Sequence, residues 1–278
     1  MIEVGLSLRD FSHMHLPPNR GAAAFTLCSY TVCGVTDPIA DLLKLAEIQP
    51  AYDAARSAVD LAMRHPALRR KGGPVAAEVG LRDAVASAAL EGREYELEAV
   101  RAGAVTDPIV QGSLRVTASL DGLASQWSKA PRQVLAKLHV LAARDVVDAD
   151  DLGRPSQDAA ASGRIDLLSS LVTSGSTAPA MALAAVVHAE LLTLAPFAGP
   201  SGLVARAAAR LTLIGGGLDP RGLLAVDVGH FERAPEYQGA ASAYATGTTD
   251  GVRSWLKHYA AAIEVAATQL TQVGDEQV

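Results

Sequence analysis

From Asp37 onward, apolar positions recur at helical spacing. Leu42, Leu45 and Ile48 share one face, and Ala54, Ala58, Leu61 and Ala62 share a face on the following segment, which predicts an N-terminal helical pair within 35–74. Arg69, Arg70 and Lys71, followed by Gly72, Gly73 and Pro74, read as a solvated polar loop. Beyond it the pattern predicts helices over 75–90, 94–102, 108–126 and 131–143. Gly92 is the residue type that ends a helix, and Asp107-Pro108 and Pro131 are breaks at which new ones start. Residues 148–163, rich in Asp, Gly, Pro and Ser, predict a loop, with a helix around 165–172.

Two segments, 179–194 and 203–214, are apolar on nearly every face, as in helices buried at the centre of a fold. A short turn over 195–202 joins them, and Gly215, Gly216 and Gly217 terminate the second. Two more helices are predicted over 235–246 and 250–270, leaving 271–278 as a polar tail expected to fray. Residues 1–34 carry no helical period and are expected to form an irregular arm. An alanine-rich chain with only 4% aromatic residues favours closely packed helices over sheets, so the expected class is all-α.

Composition narrows the partners. A net charge of -6 offers no basic footprint for a nucleic-acid backbone. The longest apolar run, 178–197, carries His188 and Glu190, so no membrane span is expected. Glu3, Arg9, Asp10 and two histidines stand where a signal peptide needs an apolar core, which points to a cytoplasmic protein. Cys28 and Cys33 lack a partner pair and a nearby histidine set, and are expected to be reduced thiols rather than zinc ligands.

The turn between the two apolar helices carries the most specific pattern. Residues 192–206, Leu-Thr-Leu-Ala-Pro-Phe-Ala-Gly-Pro-Ser-Gly-Leu-Val-Ala-Arg, resemble the Fic family signature HPFx[DE]GNGRxxR. Ser87, Glu91 and Gly92 similarly fit S/TxxxE(G/N), the inhibitory-helix signature of that family. With His188 on the helix before the loop and Tyr237, Tyr244 and Trp255 beyond it, the resemblance spans about residues 75–270. It implies a Fic-like helical bundle around a central helix-loop-helix, with an N-terminal helical extension.

Position by position, the resemblance also implies what is missing. The family's general base, a histidine, falls on Ala195, and its Mg²⁺-holding acid falls on Gly199. Pro200 replaces a phosphate-binding glycine and lacks an N–H; Ser201 replaces asparagine and Leu203 the first arginine. Pro196, Phe197, Gly202 and Arg206 remain. The family's target-aligning hairpin has little room within 152–165. The implied protein has no catalytic residue at these positions, no certain cofactor and no Mg²⁺, and acts as a regulatory or binding module with a protein partner or a second copy of itself.

Two uses of the α-helix entrance are open. Ser201 can cap the helix while Arg206 pairs with a carboxylate, for which the resemblance nominates Glu91. Alternatively Ser201, Gly202 and Arg206 hold ATP or another phosphate anion at the helix N-terminus. The rival function is an active nucleotidyltransferase, moving AMP from ATP to a protein hydroxyl with Ser201, His188 or another residue outside the motif as base. His139, His188, His230 and His258 have no metal-ligand spacing and are assigned to packing or surface. Residues 199–203 lack the fifth glycine and preceding strand of a hydrolase elbow, and the glycines at 215–217 lack the lysine of a phosphate loop.

Overall fold

The computed structural model describes residues 37–156 and 158–277, so the expected arm with Cys28 and Cys33 lies outside the described residues. Within them the chain is all-α, with thirteen helices and no strand. The first six are α1 (Pro38–Leu42), α2 (Ile48–Ala62), α3 (Ala67–Arg70), α4 (Gly72–Leu90), α5 (Leu97–Arg101) and α6 (Pro108–Trp127). There follow α7 (Pro131–Ala143), α8 (Ala159–Ser174), α9 (Ala180–Leu194), α10 (Ser201–Gly215), α11 (Val226–Glu232), α12 (Ala234–Ala245) and α13 (Thr249–Glu276).

Local chemistry sets several starts. Asp37 and Asp107 each accept from two backbone N–H groups, with proline as the first helical residue of α1 and α6. The break expected at Asp107-Pro108 is thus realised. Asp158 caps α8, which therefore begins before the predicted 165 and absorbs the end of the predicted loop. The polar break at 69–74 is also shorter than expected: Gly72, Gly73 and Pro74 form the first turn of α4. Proline is tolerated there because N–H groups in a first turn have no intrahelical acceptor.

On α2 the buried face is Ile48, Tyr52, Ala55, Val59 and Ala62, while Leu61 is 72% exposed. The predicted stripe is therefore rotated by about one position, because alanines at 54 and 58 fit either register equally well. The C-terminal helix also outruns its prediction. Instead of fraying after 270, α13 continues to Glu276, with Val273 and Gly274 buried.

Helices α9 and α10 divide the interior. Val187 and Leu191 of α9, with Leu203, Val204 and Leu211 of α10, join a core built with α6, α7 and α8. On the other side, Ala182, Ala185, Val186 and Ala189 join a core with α2, α4, α11, α12 and α13. This double burial explains why α9 is apolar all round. Helix α11 comes unusually near α13 at Gly229, where a Cβ would lie 2.2 Å from the Ala262 carbonyl oxygen. That approach brings Asp227 and His230 into the centre of the bundle.

Candidate functional site

The site is assembled where the end of α4 meets the α9–α10 connection. Helix α4 stops in a tight C-terminal turn: Gly92 takes φ of 78°, its N–H bonds the Ala89 carbonyl, and the Arg93 N–H bonds the Ala88 carbonyl. Glu91 is thereby fixed as the last residue of the turn. Across from it, α9 ends at Ala195, which adopts the left-handed conformation with φ of 40°. The connection is anchored by His139, whose Nδ1 accepts from the Gly153 N–H at 2.9 Å. That leaves Nε2 to donate to the Ala198 carbonyl at 2.8 Å, while the ring stacks on Phe197.

Arg206 lies at the centre of the polar contacts and is almost sealed from solvent. Its Nη2 donates to Glu91 Oε1 at 2.8 Å and to the Ser87 carbonyl at 2.9 Å, and its Nε donates to Ser87 Oγ at 2.9 Å. Asp227 Oδ2 stands 3.5 Å from Nε. Burial works against the guanidinium charge, but Glu91, Tyr237 and Asp227 outweigh it and hold Arg206 protonated. The pairing nominated from the sequence, Glu91 with Arg206, is present, and Ser87 joins it.

Two expectations for the helix entrance change. Ser201 is not the N-cap; Pro200 is, and Ser201 is already helical, with its buried Oγ lacking a hydrogen-bond partner. A residue with helical backbone angles cannot turn its side chain back onto the first-turn N–H groups as a capping serine does. Gly202 does not face open space either. A Cβ there would lie 2.1 Å from Glu91 Oε1 and 2.9 Å from Arg206 Nη1, so the glycine makes room for the Glu91 carboxylate. The chain's own anion thus sits against the first turn of α10.

The remaining motif positions carry no chemistry toward this point. Ala195 and Gly199 are exposed and end in a methyl and a hydrogen. Leu203 belongs to the hydrophobic core. Among the described residues, no group of three His, Cys, Asp or Glu side chains is arranged to hold a metal ion. Among the described residues, no helix is long and apolar enough to cross a membrane.

Behind Arg206 lies a second ion pair that sequence reasoning missed. Arg210 Nη1 donates to Asp83 Oδ2 at 2.6 Å, and Asp83 Oδ1 accepts the Asp227 N–H at 3.1 Å. Burial pushes the carboxyl groups of Asp83 and Asp227 upward, and for Asp83 the neighbouring Asp227 charge adds to this. Both partners lie on buried helix faces, Asp83 on α4 and Arg210 on α10.

A third cluster gathers histidines. His188 Nε2 and Tyr237 Oη are 2.9 Å apart, and His230 Nδ1 and His258 Nε2 are 3.0 Å apart. The His188 and His230 rings meet edge-on with centroids 4.9 Å apart. Burial holds His188 and His230 well below the usual imidazole range, with Arg206 adding to the effect, and burial lowers His258 too. Of the packing and surface positions left open from the sequence, all three occupy packing positions, and their rings form one network.

Neither a protein-family model nor a curated protein sequence matches the chain. Solved structures do. A Fic family protein from Desulfovibrio desulfuricans G20 superposes with a TM-score of 0.65 over 82% of this chain and 76% of its own, at 19% identity. The chain has the Fic fold. Fic-1 from C. elegans superposes with a TM-score of 0.63, at 17% identity, over 83% of this chain and 74% of its own. At such identities the Fic-fold likeness speaks for architecture and leaves the chemistry to this chain's own residues.

Proposed function

We propose that this chain is a catalytically degenerate Fic-fold protein that works as a regulatory or binding module, with Glu91 as the built-in occupant of the anion position at α10. The observation that carries the reading is the entrance to α10, where the positions matched to the general base and the metal-holding acid are Ala195 and Gly199. A general base contributes roughly 10²- to 10⁴-fold, and stabilising charge in the transition state contributes about as much again or more. Losing both, together with the arginine position now held by Leu203, leaves transfer without its means.

The neighbouring imidazoles do not offer a substitute. His139 is engaged through both ring nitrogens, and His188 is fully buried with Nε2 on Tyr237. Mg²⁺ with a triphosphate fits poorly: the position for a carboxylate is glycine, Pro200 has no N–H to give, and the face of Gly202 is filled by Glu91. The partner we favour is a protein or a second copy of this chain, in the cytoplasm, and not a nucleic acid.

An active nucleotidyltransferase using a non-standard base has one observation in its favour, the unpartnered Ser201 hydroxyl. The test is calorimetry with ATP and Mg²⁺, followed by incubation with labelled ATP and a cell lysate. Degeneracy predicts no labelled protein. Labelled bands that vanish in Ser201→Ala would establish the rival.

A further inference from the structure

A half-open cavity of about 300 Å³ lies at the other end of the two central helices from the Glu91–Arg206 contact, where α6, α8 and α10 finish and α9 begins. The length of α10, about 22 Å, separates it from Ser201. Its floor is Trp127, Val172 and Thr212, all buried, while Ser174 and Gly215 stand at its exposed rim. One wall depends on Gly216, where a Cβ would lie 2.4 Å from Ala180 Cβ, so the end of α10 closes onto the start of α9. Sites for small molecules span about 300 to 1,000 Å³, which gives this one room for a small ligand.

The three converging helix ends set its charge. Each C-terminus carries the negative pole of its aligned peptide dipoles, roughly half an elementary charge, on carbonyls that no later turn can pair. A Lys or Arg in the last turn is the common remedy, and α6, α8 and α10 all lack one. Among the described residues, no charged side chain lines the cavity, and Lys129, just beyond α6, is exposed and outside it. Nor does any donor among them reach the carbonyls of Val172, Thr173 and Ser174 in α8, Trp127 in α6 or Gly215 in α10.

The start of α9 brings the opposite pole to the same cavity, and a carboxylate already answers it. Ser176 Oγ accepts the Ala178 N–H at 3.0 Å and donates to Asp37 Oδ2 at 2.7 Å. Thr177 Oγ1 donates to the same oxygen at 2.8 Å. Burial works against a charge on Asp37, but these hydrogen bonds outweigh it and hold the carboxyl at about 2, so it is ionised. What is left unanswered is the negative potential of three helix ends.

We propose that this cavity binds a small primary alkylamine, with the ammonium seated among the C-termini of α6, α8 and α10 and the alkyl stem against Val172 and Leu183. An ammonium supplies positive charge and three N–H donors to carbonyls that have none. A quaternary amine has no N–H to give, and an alcohol brings a single donor and no charge. The site is separate from the entrance to α10 and does not depend on the function proposed for it.

Titration of the full chain with pentylammonium at pH 7 and about 0.15 M salt, followed by amide NMR, tests this. Amides at 127–129, 173–178 and 215–217 should shift saturably in the millimolar range. The isosteric 1-pentanol and the anion pentanoate should each bind about tenfold more weakly or less, since both forgo the attraction of three helix ends. Thr173→Lys, at an exposed position, puts the chain's own ammonium into the last turn of α8 and should weaken pentylammonium by about tenfold. Ser170→Lys, exposed on α8 but outside the cavity, should change it by no more than about twofold. Absence of saturable shifts at those amides, equal binding of 1-pentanol, or a Thr173→Lys chain that holds the amine as before overturns the proposal.

Discussion

Glu91 Oε1 accepts from Arg206 Nη2 at 2.8 Å while only a fifth of the Glu91 side chain, and almost none of Arg206, reaches solvent. Removing a partner from a buried pair strands the other charge, which costs about 3 to 5 kcal/mol in a fully enclosed setting. Here the loss is tempered, because Ser87 and Asp227 stay with Arg206. Glu91→Gly should therefore destabilise the fold by about 2 kcal/mol in urea titrations, with the slope unchanged. On the proposed reading it should not switch on AMP transfer, and a labelled product in that variant would contradict it.

Gly202→Ala reaches the same contact from the other side. Its new methyl would meet the Glu91 carboxylate, the free end of a flexible side chain that can swing away. The outcome should match loss of the pair, about 1 to 2 kcal/mol, and should not add to Glu91→Gly in a double-mutant cycle. Full additivity would mean that Gly202 matters for some other reason.

The histidine network sets the response of the whole fold to acid. His188, His230 and His258 have their pKa values lowered in the folded chain from an ordinary value of 6.5. Above that value both folded and unfolded chains hold them neutral, so their contribution to stability is complete. As pH falls below it, the unfolded chain takes up protons that the native chain refuses, and stability is lost. Each such group contributes a slope of up to about 1.4 kcal/mol per pH unit, and three together about 4. Urea midpoints should fall from pH 6.5 toward 5.5, the three histidines outweighing Asp83, whose carboxyl, pushed up to about 7, takes up a proton in the folded chain over the same range and acts in the opposite sense; a midpoint that rises on acidification would contradict this.

Much of this architecture was legible in the sequence for physical reasons that can be named. Asp107-Pro108, Pro131 and Gly92 act through local backbone chemistry, and each sits where its residue type predicts. The uniform apolarity of 180–194 follows from burial on two sides, which the helix over 201–215 shares. The α2 register was ambiguous because alanine packs equally well on either side of a stripe. Asp83, Arg210 and Asp227 escaped notice because their meaning lies in contacts between residues more than a hundred positions apart. Ser201 was misjudged since a serine before an apolar run looks like a cap whether or not a proline beside it has taken that place.

The same geometry shows why restoring two side chains would not recover the proposed lost chemistry. Ala195 is left-handed, a conformation histidine tolerates better than most residues, so Ala195→His should fold with little loss. Gly199 is different: its φ is 70°, and a Cβ would stand 2.7 Å from Val147 Cγ2. An aspartate there meets both backbone strain of about 1 kcal/mol and a steric clash, and it would still face Pro200 and a Gly202 covered by Glu91. Gly199→Asp should cost about 2 kcal/mol in urea titration, the strain and the clash together, and Ala195→His with Gly199→Asp should remain silent with labelled ATP. Transfer by that double variant would mean that the base and metal positions were the sole deficits, and that neither Pro200, Leu203 nor the Glu91 clasp stands in the way.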